Sequence, residues 1–237
     1  MIVSIMQPYF FPYIGYMQLI AQSEVFVFQD DVQYIKRGWV NRNRILGPND
    51  AAAWLTLPVA AAGHELAICD RAYLLNDNAD RVLRRIESTY RKAPQFAAVF
   101  PLIRSIMAFP GANVAAFNVN LLQTLAGFLR LAPRFVRSST IPNRAGLTGQ
   151  ARIIAICQGL GATRYVNSIG GTSLYDAPTF RDNGIDLEFL QTTISAQPGA
   201  LMHLSFLHAL LHDSPDTLAH SLTQYQVGPA GAVMPPA

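Results

Sequence analysis

The stretch DDVQYIKRGWVNRNRI, from Asp30 to Ile45, concentrates side chains that can do chemistry or hold a ligand. Asp30 and Asp31 are candidate bases. Arg37 and Arg42 can fork onto a phosphate or carboxylate, and Lys36 supplies a compact charge. Tyr34 and Trp39 can stack on a base or sugar face. Asn41 and Asn43 can hydrogen-bond to hydroxyls. The same run also fits a solvated β-ribbon whose charges pair with one another. Only 14% of the chain is charged, well below the usual quarter, and that sparse background favours a ligand site. Adjacent residues of a strand face opposite ways, so Asp30 and Asp31 are not expected to act as a carboxylate dyad. One would face the site while the other pairs with an arginine.

Two further polar clusters follow short apolar runs. Gln7-Pro8-Tyr9 follows Ile2–Met6, and Asn167-Ser168 with Gly170-Gly171 follows the run TRYV. Pro8 and Pro12 stiffen the first loop, and Gly15 permits close approach beside the next helix. The result is either an anion-binding corner at a helix N-terminus or a proline-braced loop packing aromatics. The glycine pair either presents backbone N–H groups to an anion or makes a plain turn. It matches neither GxGxxG nor a P-loop.

These clusters need a scaffold. Residues 2–6, 24–28, 134–139, 163–168 and 185–190 read as strands, and 51–60 and 65–70 as strands of a hairpin. Helices are expected at 13–22, 78–91, 96–108, 113–131, 148–159, 172–183 and 201–213. The alternation implies an α/β fold, a Rossmann-like, mostly parallel sheet flanked by helices, with a helical middle segment at about 78–131. The expected organisation is one α/β domain over 1–227 and a disordered tail at 228–237. Ligands of such sheets sit beyond the carboxyl ends of the strands, so the clusters after residues 6, 28 and 166 would share one rim. Arg152, on the helix expected at 148–159, is expected to stand apart from it.

Several function classes are disfavoured. A net charge of +3 is too mild for a nucleic-acid face. No apolar run is long enough for a membrane span, and MIVSIMQPYFFPYIGY lacks the basic region of a signal peptide. Cys69 and Cys157 stand far apart and in no nucleophile motif, which suits a reducing cytoplasm. His208 and His212 have the i, i+4 spacing of metal ligands, but no HExxH glutamate and no third ligand accompany them. No metal and no cofactor are expected. The sparse charge is compatible with a homo-oligomer that hides part of its surface.

The opening MQPYFFPYIGYMQLI…FVFQDDVQYIKRGWVNRNRI resembles that of the WbqC-like family, and WLTLPV, YRKAPQF, RSS, GLGATRYVNSIGGTSLYD and GIDLEF extend the likeness to about residue 190. That resemblance implies a role in bacterial surface-polysaccharide or O-antigen biosynthesis, decorating an amino sugar, including aminoacyl transfer to a sugar amine. The C-terminal stretch LSFLHALLHD departs from the family's LSIIDLLMFN: His208 stands where an aspartate is typical, and His212-Asp213 replace Phe-Asn. If that acid is catalytic in relatives, the chemistry is altered here; if structural, nothing changes. The layout also resembles the start of HIGH-type nucleotidylyltransferases, with Met6 and Tyr16 in place of the signature histidines, which supports the sheet alone.

The expected function is therefore acyl or aminoacyl transfer to a nucleotide-linked amino sugar, with an acyl or aminoacyl carrier protein as a candidate partner. A non-catalytic binding or assembly protein of the same pathway is the alternative. In the transferase, Asp30 or Asp31 is the base. Lys36, Arg37 and Arg42 hold phosphate, and Gln7, Asn41 and Asn167 donate hydrogen bonds. Tyr9, Tyr34, Trp39, Asn43, Ser168, Gly170 and Gly171 complete the expected substrate contacts.

Overall fold

A computed structural model describes residues 1–142, 146–194 and 204–232. Its main sheet begins with β1 (Ile2–Met6), α1 (Ile14–Gln22) and β2 (Val25–Phe28). A small antiparallel pair follows, β3 (Arg42–Leu46) and β4 (Ala52–Thr56), then α2 (Asn76–Tyr90), α3 (Phe96–Met107) and α4 (Val114–Phe128). The chain returns through β5 (Arg134–Arg137), α5 (Gly149–Leu160), β6 (Arg164–Ser168), α6 (Ala177–Asp182) and β7 (Asp186–Thr192). It ends with α7 (Phe206–His212), α8 (Pro215–Ser221) and β8 (Tyr225–Gly228). The sheet order is β5-β2-β1-β6-β7-β8, parallel except for the β7–β8 edge.

This is the Rossmann-like, mostly parallel sheet expected from the alternation of strands and helices. Its strand order reverses between β1 and β6, the place where such sheets bind ligands. The two strands pair at Ile2–Arg164 and Val3–Tyr165, in their first halves. Tyr13, just before α1, lies near the Ser168 side chain; burial raises its phenol and Ser168 opposes that rise.

Side-chain alternation places a core on each face. Phe26, Phe28, Val166 and Leu190 point into a large core with α1, α2, α3, α4 and α7. Val3, Val25, Val27, Tyr165 and Phe189 point into a smaller core with α5 and α6. Complete burial of the central strands explains their almost uninterrupted apolar sequence.

Three expectations need correction. Residues 65–70 form no strand beside 51–60; β4 pairs with β3, and 68–70 make a 3₁₀ turn. That segment lies along the quoted stretch, with Ile68 N donating to Val32 O at 2.9 Å and Cys69 N to Asp30 O at 2.8 Å. The helix expected over 172–183 is split into a 3₁₀ turn at Ile169–Leu174 and α6. Pro178 favours a helix start, and Asp176 caps it by accepting from Thr179 N. Gly228 ends the edge strand β8 and so does not begin a tail. Residues 233–237 lie outside the described residues, as do 201–203 of the helix expected at 201–213.

Candidate functional site

Two cavities lie on either side of the segment that leaves β2. Of the expected site residues, Asp31 lines the first and Tyr34, Lys36, Arg37, Asn41 and Arg42 line the second, while the others line neither. The first lies at the carboxyl rim of the sheet. It measures about 410 Å³ and is lined by Gln29, Asp31, Val32 and Gln33, by Thr148, Gly149, Gln150 and Arg152 of the α5 start, and by Leu174 and Tyr175. Gln29 reaches it because it continues the β2 alternation on the α5 face.

Asp30 and Asp31 divide their work here. Asp30 is fully buried. Its carboxylate accepts from Arg137 Nε at 2.6 Å, Ser139 N at 2.9 Å and Ser139 Oγ at 2.8 Å, and Ser138 Oγ lies 3.2 Å away. This joins the end of β2 to the end of β5 and uses the lone pairs that a base would need. Asp31 contacts the Ser138 hydroxyl and forms an ion pair with Arg152, yet it still lines the cavity. Arg152 therefore belongs to the rim, against the expectation that it stands apart. Periodicity placed its helix but gave no sign that the first turn of α5 reaches Asp31. Its Nε is buried and has no hydrogen-bond partner among the described residues.

Gln7, Asn167, Ser168 and the glycines occupy the same edge of the sheet. The Gln7 backbone carbonyl accepts from Tyr16 Oη at 2.8 Å. Asn167 Oδ1 accepts from Ser168 N at 2.8 Å. A Cβ on Gly171 would come within 2.5 Å of Asn167 Nδ2, so the glycine is needed for that side chain to fit, whereas Gly170 faces open space. Tyr9 packs on Tyr16 with ring centroids 5.4 Å apart. Burial, with Tyr13 adding to it, pushes the Tyr9 phenol up to about 12.

The second cavity, about 450 Å³, lies beside β3 and β4. Tyr34, Lys36, Arg37, Asn41, Arg42 and Arg71 line one part, and Thr56 and the 58–62 segment the rest. No carboxylate of the described residues comes within ion-pair reach of Lys36, Arg37, Arg42, Arg44 or Arg71. Burial raises the Tyr34 phenol, opposed by the positive charges of Arg71 and Arg42. The Arg42 guanidinium lies 3.9 Å above the Trp54 ring and bonds to the Arg37 carbonyl. Trp39 packs on Trp54 at 5.6 Å and is absent from this lining.

The asparagines of the quoted stretch hold backbone. Asn43 donates to Phe11 O at 2.7 Å. Asn41 donates to Leu57 O at 3.0 Å and accepts from Tyr34 Oη at 2.8 Å. Asn118 donates to Pro8 O at 2.8 Å, so the buried Asn43 and Asn118 amides fix the first loop from below. Arg71, Arg137, Ser138, Ser139, Arg152 and Tyr13 were not singled out from sequence as site residues. RSS, within the family likeness, was the only signal for three of them.

His208 stacks on His212 with centroids 4.2 Å apart and packs edge-on to Tyr90. Neither histidine lines either cavity. Among the described residues no group of three or more His, Cys, Asp or Glu could hold a metal. Likewise, no helix there is long and apolar enough to cross a membrane.

No solved structure matches the chain. An uncharacterised protein of Mycobacterium tuberculosis is 31% identical over 185 residues, covering 77% of this chain and 79% of its own length. The model of the WbqC-like protein family matches residues 7–220, which takes in both cavities and the loop between them. The chain belongs to the WbqC-like protein family.

Proposed function

We propose that this protein is a transferase that moves an acyl or aminoacyl group onto the amine of an anionic, nucleotide-linked amino sugar in surface-polysaccharide biosynthesis. The observation that carries this reading is Asp31. It is a partly buried carboxylate facing a cavity at the carboxyl rim of a parallel sheet, beside a helix N-terminus. Asp31 takes a proton from the sugar ammonium, and Arg152 orients the carboxylate. The freed amine attacks the acyl carbonyl; the N–C bond forms and the donor's leaving group departs with a proton. The Gln7 amide and Asn167 Nδ2 supply donors for the developing oxyanion, and Lys36, Arg37 and Arg42 hold the phosphates. Thioester-linked acyl groups on a carrier protein are suitable donors, because the reaction needs position and a base more than a covalent nucleophile.

The test is mass spectrometry of nucleoside-diphosphate sugars, with and without a free amine, incubated with the protein and acyl thioesters. The expected result is an acyl mass gain that requires the amine and falls by at least about a hundredfold in Asp31→Asn. A mass gain that is unchanged in Asp31→Asn would remove the aspartate from the mechanism. No gain with any pair would leave the alternative, a binding protein of the same pathway.

A further inference from the structure

Arg71 follows the 3₁₀ turn at 68–70, and only 4% of its surface is exposed. Its Nη1 donates to Gly63 O at 2.8 Å and its Nη2 to Ala60 O at 3.5 Å. Its guanidinium carbon sits 4.9 Å from the Tyr34 ring centroid. Among the described residues its buried Nε has no hydrogen-bond partner, and no carboxylate neutralises the charge. A buried charge without a counter-charge is costly, and a guanidinium cannot escape by losing its proton. The two carbonyls and the Tyr34 ring offset part of that cost, and an anion from solution can supply the missing counter-charge.

The cavity that Arg71 lines carries three more cations, Lys36, Arg37 and Arg42, and no acid. That lining repels metal ions and amines alike. At about 450 Å³ it is within the range of small-molecule sites. We propose that it is a binding site for the diphosphate group of a small molecule, with Arg71 as its buried anchor. One carboxylate or monoanion would balance a single cation of four, whereas a diphosphate brings several charges and acceptor oxygens to match the arginine forks. Thr56 adds a hydroxyl, and Pro58, Val59 and the alanines at 60–62 form an apolar wall beside the charges. That wall suits the organic part joined to the diphosphate. The site rests on the transferase reading only for its natural bearer, the nucleotide-linked sugar; the anion chemistry stands without it.

Titration calorimetry of the full chain at low ionic strength tests this, with inorganic pyrophosphate, orthophosphate and a nucleoside diphosphate as probes. Pyrophosphate should bind one to one, and orthophosphate at least about tenfold more weakly. A nucleoside diphosphate that binds more tightly than pyrophosphate identifies a nucleotide as the bearer; the reverse identifies free diphosphate. Arg71→Lys and the double variant Lys36→Ala/Arg37→Ala should each weaken pyrophosphate at least about tenfold, whereas Arg104→Ala, exposed on α3, should not. The double variant alters only exposed side chains, so it decides the matter even if Arg71→Lys folds poorly. No binding at millimolar pyrophosphate, or unchanged affinity in the double variant, overturns the site. Equal affinity for the two inorganic anions overturns the diphosphate assignment. Pyrophosphate binding without acyl transfer sinks the transferase reading and leaves this site standing.

Discussion

The two cavities flank one segment of chain yet solve their electrostatics in opposite ways. At the rim, charges neutralise one another: Asp30 with Arg137, and Asp31 with Arg152. At the β3–β4 cavity, cations gather and no described acid answers them. Paired charges fix geometry, which a reacting centre needs. Unpaired charges store unfavourable energy that an anion relieves, which a binding centre can use. The contrast explains most of the six charges that crowd the quoted stretch: its acids close the sheet, and Lys36, Arg37 and Arg42 line an open volume.

The strongest way to break the contrast is to remove an acid from the paired side. Asp30→Ala leaves Arg137 without its counter-charge and the Ser139 N–H and hydroxyl without their acceptor. A buried donor left without its acceptor costs about 1–3 kcal/mol, so Asp30→Ala, which strands two, should lose about 2–6 kcal/mol in urea melts. A cost below about 1 kcal/mol would show that the β2–β5 junction is held by its strands alone.

A second test uses a cation that can leave. Arg71 keeps its charge at any pH, whereas His208, half-buried against His212, is held down to about 4, first by desolvation and then by repulsion from His212. Both histidine and arginine are short of acid partners, but only histidine answers by staying neutral. The unfolded chain binds a proton near 6.5, so His208 is neutral in both states above that pH. Between about 6.5 and 4 the unfolded state binds a proton that the native state refuses, and stability falls as pH falls. The loss should reach on the order of 2–3 kcal/mol near pH 4. His208→Leu should flatten that part of the pH profile. An equally steep profile in the variant would move the acid sensitivity elsewhere.

The sheet was legible because the buried parallel strands of one sheet are short, apolar and punctuated. Their carboxyl ends could be named as a common rim from residues 6, 28 and 166 alone. The local partners were less legible. Nothing in ELAICD announces that its N–H groups would turn to Val32 and Asp30 and away from β4, since a short apolar run fits several arrangements. The roles inside the quoted stretch divided for a related reason. Asn41 and Asn43 have the chemistry to bind hydroxyls, but backbone carbonyls of Leu57 and Phe11 reach them first. Arg71 and Arg152 meet the site through space, 29 and more residues from the acids and cations that define it, and no spacing records that. The departure at His208 was legible as a change, and the structure puts it in helix packing, outside both cavity linings.

The smallest expected effect is the most discriminating. Arg37 holds φ at 63°, a left-handed conformation that favours glycine, next to Gly38, whose N donates to Ile35 O at 3.1 Å. A non-glycine residue there carries strain of about 1 kcal/mol. The same position adds one more cation to a lining that has no acid. Arg37→Gly removes both burdens and gives back some unfolded-state entropy. It should therefore match wild type in stability or gain up to about 1 kcal/mol, while its affinity for pyrophosphate falls. Added salt screens exposed like charges, so the stability difference should shrink as salt rises if repulsion contributes, and persist if strain alone does. A variant that gains stability and keeps full pyrophosphate affinity would make Arg37 a bystander of the turn. A variant that loses stability would mean that the arginine is held there by packing, and that the unpaired cations at this cavity are not the liability the comparison makes them.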